Sequence, residues 1–215
     1  MKIHVLQVGM IETNGFVLEQ DGDAVIVDPG DEAERFEDII SEKNLTLHAI
    51  LLTHGHGDHI GAVGDLRKTY PDASVMCHKL DAPMLTDGRK SFSVYVGKDL
   101  NVGPPDKFVE DNKILRFGSL ELKVIHVPGH CAGQVVYLNG KDLIAGDTIF
   151  AGSVGRWDLP GGNGKQLFRS IREKLLVLPD DTVVYPGHGP STTIGEEKRI
   201  NPYMQPSFDP DNAGW

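Results

Sequence analysis

Cysteine is scarce in this chain of 215 residues: Cys77 and Cys131 are the two it has. Two thiols cannot form a disulfide framework, and both sit in apolar or glycine-containing stretches, so they read as buried structural thiols. No apolar run reaches the length of about 18 residues that would span a bilayer. The N-terminal MKIHVLQVGM lacks the charged, apolar and small-residue segments of a secretory signal, which leaves the cytoplasm as the expected location. Positive charge is also short. Lys and Arg number 21 against 31 Asp and Glu, a net charge of -10. A chain of that sign repels a phosphate backbone, so nucleic acid is not an expected partner, and without a spanning apolar run neither is a membrane. Low-complexity tracts and short internal repeats are absent.

What is present is strand and helix patterning over most of the chain. Hydrophobic residues make up 40% of it, enough for a substantial core. Residues 2–8 and 16–20 read as strands around an Asn14-Gly15 turn, and 21–23 turn the chain into a third strand over 24–28. A helix is expected over 31–42, with Phe36, Ile39 and Ile40 on one face and a capping box from Asp31 and Glu34. Residues 48–53 form an apolar strand, 60–70 a helix with Ile60, Val63 and Leu66 inward, and 73–78 another strand. Residues 83–112 break every period and read as a long loop with short elements beside a pocket. Strands follow over 120–127, 134–138, 142–146 and 181–186, with a helix over 165–177 before the last. Several strands followed by helices, twice over, imply two sheets packed face to face with helices outside.

The chemistry sits at strand ends. LLTHGHGDHIGA, residues 51–62, crowds His54, His56, Asp58 and His59 behind an apolar strand. His130 follows a second strand, Asp147 a third and His188 a fourth, each with Gly or Pro close by. Ligands on loops held by strand ends can converge on one cleft. Five of the nine histidines lie in these settings. His4, His48, His78 and His126 lack ligand spacing and read as ordinary strand residues. Seven candidates exceed the four of a closed structural zinc site and suit two metals with an open position.

The set His54-x-His56-x-Asp58-His59, then His130, Asp147 and His188, resembles the metallo-β-lactamase superfamily, and it covers the chain from about residue 3 to 200. Within it, GDTIFAGSVGR and YPGHGPSTTIGEEKRINP are similar to the glyoxalase II group (hydroxyacylglutathione hydrolases), above all its short single-domain members. The resemblance implies an α/β fold, a four-layer αββα sandwich, as one domain over 1–215. It implies that His54, His56 and His130 bind a first metal, that Asp58, His59 and His188 bind a second, and that Asp147 bridges them. Asp28, in VDPG, matches an acidic residue that hydrogen-bonds a ligand loop from behind. Two divalent ions follow, zinc as first choice, with iron and manganese also suited to imidazole and carboxylate donors.

The implied reaction is hydrolysis of a thioester, foremost S-2-hydroxyacylglutathione, by a hydroxide shared between the metals, with Asp58 orienting it. Thiolates leave readily near neutrality, so a strong general acid is unnecessary. Cys131 is the only other nucleophile near the site. Arg156 matches a basic residue that holds glutathione in this group, and a salt bridge to Asp158 fits GRWD equally well. Trp157 is either a pocket wall or a packed aromatic. Larger glyoxalase II enzymes add a C-terminal helical region, whereas this chain has 27 residues after His188, room for one short helix and a tail. Glutathione specificity is therefore open. The alternative is a mononuclear-iron persulfide dioxygenase, with His54, His130 and Asp147 as its ligands. A β-lactamase and a non-catalytic metal-binding module rank below both.

Overall fold

A computed structural model describes residues 1–205, 207 and 208, so the last part of the expected C-terminal tail lies outside the described residues. Alternating apolar and polar positions set the strands, and strands with two apolar faces set the layers. The first sheet has six strands in sequence order: β1 (Lys2–Val8), β2 (Thr13–Gln20), β3 (Asp23–Val27), β4 (Thr46–Leu51), β5 (Ser74–His78) and β6 (Lys107–Val109). The chain then passes through β7 (Ile114–Phe117), β8 (Leu120–His126), β9 (Val135–Asn139), β10 (Asp142–Gly146), a small hairpin of β11 (Ile149–Phe150) and β12 (Ser153–Val154), β13 (Val183–Pro186) and β14 (Thr192–Thr193). The second six-stranded sheet runs in the order β14-β13-β10-β9-β8-β7.

Residues one apart on a strand face opposite layers. Phe16 and Leu18 on β2, Ala49 and Leu51 on β4, Leu122 and Val124 on β8, and Tyr137 on β9 fill the space between the sheets. Their neighbours Val17 and Ile50 face outward instead, against Phe36 and Ile40 of α1 (Ala33–Glu42) and Leu66. On the other side Val136, Leu143 and Ala145 meet Leu167, Phe168 and Ile171, at α4 (Gly164–Ser170) and the helical turn after it. Helix, sheet, sheet, helix is the expected four-layer arrangement. Each large apolar side chain so buried contributes about 1.5–3 kcal/mol. Tyr137, wholly buried, donates its hydroxyl to Leu52 O at 2.8 Å and so ties one sheet to the other.

Several local expectations are corrected. Asn14 and Gly15 are not a turn but lie inside β2, paired with Gln7 and Leu6, and the chain reverses over residues 9–12. Gly15 is needed there because a Cβ would stand 2.5 Å from the Phe36 ring. Asn14 is committed elsewhere: its Nδ2 donates to Pro186 O and Gly189 O at 2.9 and 2.8 Å. The capping box does not form. Helix α1 starts after Glu32, whose backbone is left-handed (φ 53°) with no side-chain cap, and Asp31 Oδ1 accepts from Glu32 N instead. The helix expected over 60–70 is two, α2 (Gly57–Ile60) and α3 (Val63–Thr69), and α2 starts early enough to include Asp58 and His59. The helix expected over 165–177 is α4 (Gly164–Ser170), capped by the Asn163 side chain and continued by a wider helical turn over Ile171–Leu175. A last helix, α5 (Ile194–Ile200), fills the room foreseen after His188. Strand β7 escaped notice because it is four residues long, Ile114–Phe117, too short for its apolar residues to show a period. Among the described residues no helix is long and apolar enough to cross a membrane.

Candidate metal centre

Strands β3 and β4 run parallel, as do β10 and β13, while β8 is antiparallel to β9 and β9 to β10. The carboxyl ends of β8, β10 and β13 therefore share one edge of the second sheet. His130, Asp147 and His188 follow those ends, and His54 to His59 follow β4 in the first sheet. The sandwich brings the two sets together. His54, His56 and His130 each offer a ring nitrogen within 4.8 Å of the others, and so do Asp58, His59 and His188 with their own donor atoms. His56 Nδ1 and His130 Nε2 are 2.9 Å apart. Asp58 Oδ2 stands 3.3 Å from His59 Nε2 and 3.2 Å from His188 Nε2.

Asp147 lies between the trios. Its Oδ1 is 3.4 Å from His59 Nε2, and its Oδ2 is 3.7 Å from both His130 Nε2 and His188 Nε2. The approach leaves no room for a side chain at residue 187, where a Cβ would sit 2.2 Å from Asp147 Oδ1.

Hydrogen bonds behind the rings decide which nitrogen is free. A carbonyl or carboxylate beside Nδ1 makes that nitrogen the donor and leaves a lone pair on Nε2. His130 Nδ1 donates to Arg156 O at 2.7 Å, His188 Nδ1 to Ile11 O at 3.2 Å and His59 Nδ1 to Asp28 Oδ2 at 3.0 Å. Thr53 gives its own proton to Asp28 Oδ2 at 2.6 Å, so its Oγ1 accepts from His54 Nδ1 at 3.0 Å. Asp28, wholly buried with left-handed backbone (φ 49°), also accepts from Thr53 N at 2.7 Å. It thus stands behind His59 and, through Thr53, behind His54. A third grouping of donor atoms, Asp28 with His54 and His59, is taken up by these same bonds.

The inward atoms are unsatisfied. His54 Nε2, His59 Nε2 and Asp147 Oδ1 are buried without a hydrogen-bond partner, and His56 turns its Nδ1 to the same space, 2.9 Å from His130 Nε2. Each such atom costs about 1–3 kcal/mol when left alone. Lone pairs of imidazole and carboxylate aimed at a common space are the donor set of divalent transition metals. The residues present therefore fit two such ions.

The charges agree with that reading. Burial and the neighbouring imidazoles hold His54 well below the usual histidine range and push His56 down to about 3, so both rings are neutral near pH 7. Burial opposes charge on His59 too, but Asp58, Asp147 and Asp28 outweigh it and raise the ring well above its usual range. Burial also works against Asp58 and Asp147. The surrounding histidines, His59 first, prevail and keep Asp58 well below the usual carboxylate range and Asp147 at about 2. A proton on His59 is the metal-free substitute for a cation among carboxylates.

Above the cluster opens a cavity of about 820 Å³, reached by His56, Asp58, His130, Asp147 and His188 at its floor. Arg156 borders it and grips Asp158 with two bonds of 2.8 and 2.7 Å, the pairing GRWD allowed for. Trp157 packs edge-on to Phe168 and Tyr203. Cys131 is buried and donates to Asp81 Oδ2 at 2.8 Å; burial and Asp81 push its thiol well above the usual range, which rules against a nucleophile. The other histidines pair away from the site: His4 with Glu19, His48 with Asp23, and His78 stacked on His126.

Sequence reasoning missed the supports. Asp81, buried, accepts from Gly133 N at 2.7 Å as well as from Cys131, bracing the turn that carries His130. Thr13 Oγ1 donates to Asp58 Oδ2 at 3.0 Å. Glu197, wholly buried on α5, accepts from Gly152 N, Thr192 Oγ1 and Asn201 Nδ2 at 2.9, 2.6 and 2.7 Å. Asn201 Nδ2 also donates to Ser153 O at 2.9 Å. The pair clamps the β11–β12 hairpin, which brings Phe150 and Val154 to the cavity. The available signal was a glutamate four residues before an asparagine in EEKRINP, i,i+4 neighbours on one helix face. Glu197→Ala strands three donors, one buried and two half-buried, and is expected to cost about 3 kcal/mol in urea unfolding. A loss within about 0.5 kcal/mol, typical of a surface site, would show that the clamp bears no load.

Comparison with known proteins places the chain among a described family. The family model described as the metallo-beta-lactamase superfamily matches residues 8–188. A hydroxyacylglutathione hydrolase, GloC, of Haemophilus influenzae is 34% identical over 208 residues, 95% of this chain and 98% of that protein. The crystal structure of the B3 metallo-beta-lactamase BLEG-1 superposes with a TM-score of 0.89 at 40% identity, covering 94% of this chain and 99% of that one. The protein TTHA1623, solved in a di-iron-bound form, gives a TM-score of 0.84 at 39% identity, covering 93% and 99%.

Proposed function

The chain belongs to the metallo-β-lactamase superfamily, and on that premise we propose that it is a metal-dependent thioester hydrolase acting on S-2-hydroxyacylglutathione. The observation that carries the proposal is the pair of donor trios joined by Asp147 on the floor of an open cavity. In this reading His54, His56 and His130 would hold one ion and Asp58, His59 and His188 the other, with Asp147 shared between them. When bound, the two ions supply an activated water and a Lewis acid for the substrate carbonyl.

The chain's own groups do the rest. Asp58, kept ionised and braced by Thr13, accepts a hydrogen bond from the attacking water and orients it. Arg156 at the cavity wall presents its guanidinium to a substrate carboxylate, sharing it with Asp158. The departing thiol has an ordinary pKa of about 8.5 and leaves as thiolate without a donor. The identity to GloC supports this substrate; zinc is the first choice of metal, and the di-iron form of a 39% identical protein keeps iron in view.

One other reading has specific support. The likeness to BLEG-1 favours a β-lactamase. A mononuclear-iron dioxygenase would need His54, His130 and Asp147 alone, and it leaves the convergence of Asp58, His59 and His188 without a purpose. One assay set separates them. Protein loaded with metal is expected to release thiol from S-D-lactoylglutathione at least about 10⁶-fold faster than buffer does, with no nitrocefin turnover and no oxygen uptake on glutathione persulfide. Thiol release at the buffer rate from protein holding two metals would end the proposal.

A further inference from the structure

We infer that the cavity selects its thioester by an apolar acyl group of phenyl size or larger. The inference rests on the thioester-hydrolase reading and sharpens it. An aromatic ring borders each end of the donor cluster. Phe92 stands edge-on to His56 of one trio, with ring centres 5.2 Å apart, and Phe150 edge-on to His188 of the other at 6.1 Å. Tyr95 continues the wall beyond Phe92, centre to centre 6.1 Å, and is 81% exposed. Ile11, 48% exposed, and Leu159 add further apolar surface to the lining. A large aromatic residue left in water at a cavity mouth loses free energy unless something covers it.

The wall is held in place at a conformational cost. Phe92 has a left-handed backbone (φ 61°), a strained position for an aromatic residue. Its neighbour Ser91 accepts from Gly57 N at 2.7 Å, so this segment is tied to the loop that carries His56 and Asp58. Across the floor, Glu197 and Asn201 fix the hairpin that carries Phe150. Strained or clamped aromatics at a reaction centre suit a preformed seat. Polar recognition of the acyl side has little to work with. Among the described residues lining the cavity, Arg156 is the only lysine or arginine, and Asp158 holds it by two bonds.

Two measurements on the metal-loaded protein test this. S-D-lactoylglutathione and S-mandeloylglutathione differ by a methyl against a phenyl group on the acyl carbon. The mandeloyl ester is expected to have a kcat/KM at least about tenfold higher, each buried methylene-sized group being worth about fourfold. Tyr95→Ala is expected to narrow that ratio about threefold or more. In calorimetry, the stable thioether S-hexylglutathione is expected to bind at least about tenfold tighter than S-methylglutathione. Equal binding of the two thioethers and equal rates for the two esters overturn the apolar seat and leave the hydrolase reading standing. A clear preference for the hexyl thioether with neither ester hydrolysed does the reverse.

Discussion

Asp147→Ala is expected to lower thioester turnover by about 10³-fold or more, the scale of a charge-stabilising arrangement worth several kcal/mol, while leaving the fold intact. The two halves of that expectation have separate causes. Asp147 lies between the trios, with Oδ1 toward His59 and Oδ2 toward both His130 and His188, so its removal separates the two halves of the centre. Yet its Oδ1 has no hydrogen-bond partner and its Oδ2 lies 3.7 Å from the nearest ring nitrogens, so alanine breaks no bond that holds the backbone. Metal content by elemental analysis should fall below two per chain, and the urea midpoint should stay close to that of the parent. Retained turnover would remove Asp147 from the role proposed for it. A collapse of stability would show that the carboxylate is structural.

The second large effect is expected at a residue that does not face the cavity. Asp28→Asn preserves shape, and asparagine tolerates the left-handed backbone at this position. The amide oxygen can still accept from Thr53 N, but the amide nitrogen then faces His59 Nδ1, where the carboxylate accepted a proton. His59 must shift its hydrogen to Nε2, the atom turned toward Asp58 and Asp147. A protonated Nε2 cannot ligate. Changes behind a ligating histidine typically cost about 10–100-fold in metal affinity. One ion per chain is therefore expected to be lost on dialysis against a weak chelator, and turnover to drop with it. Two tightly held ions in the Asn variant would disprove the role assigned to Asp28.

Reading the chain in order recovers much of this molecule, and the failures share a cause. Strands β4, β8 and β10 are plain in the sequence because Leu51, Val124 and Ile144 lie in short apolar stretches whose two faces meet different layers. The two-sheet architecture followed from those patterns and from the family resemblance, and the fold agrees. Asn14-Gly15 looked like a hairpin turn because local turn chemistry allows it. The structure uses Asn14 to hold the loop before His188, 172 residues away in sequence from Pro186. Asp31 and Glu34 matched a capping box, but Asp31 also faces Lys98. The spacing of Glu197 and Asn201 hints at a pair but not at its burial, and Asp81 carries no local signal, since nothing in a short window says that Gly152 or Gly133 from a distant segment will meet these carboxylates.

Spacing within a few residues and strand-end placement determined, from the sequence alone, which imidazoles and carboxylates belong to one chemistry, because backbone geometry converts short spacing directly into direction. Tertiary structure decided what those groups can do. Which nitrogen of His54, His59, His130 and His188 keeps its lone pair depends on Thr53, Asp28, Arg156 O and Ile11 O, all positioned by packing of the two sheets. So does the aromatic border of the cavity, since Phe92, in the loop after β5, and Phe150, on the small hairpin, meet the cluster at different histidines. A hydrogen bond across the fold costs nothing to write into a sequence and leaves no periodic trace there.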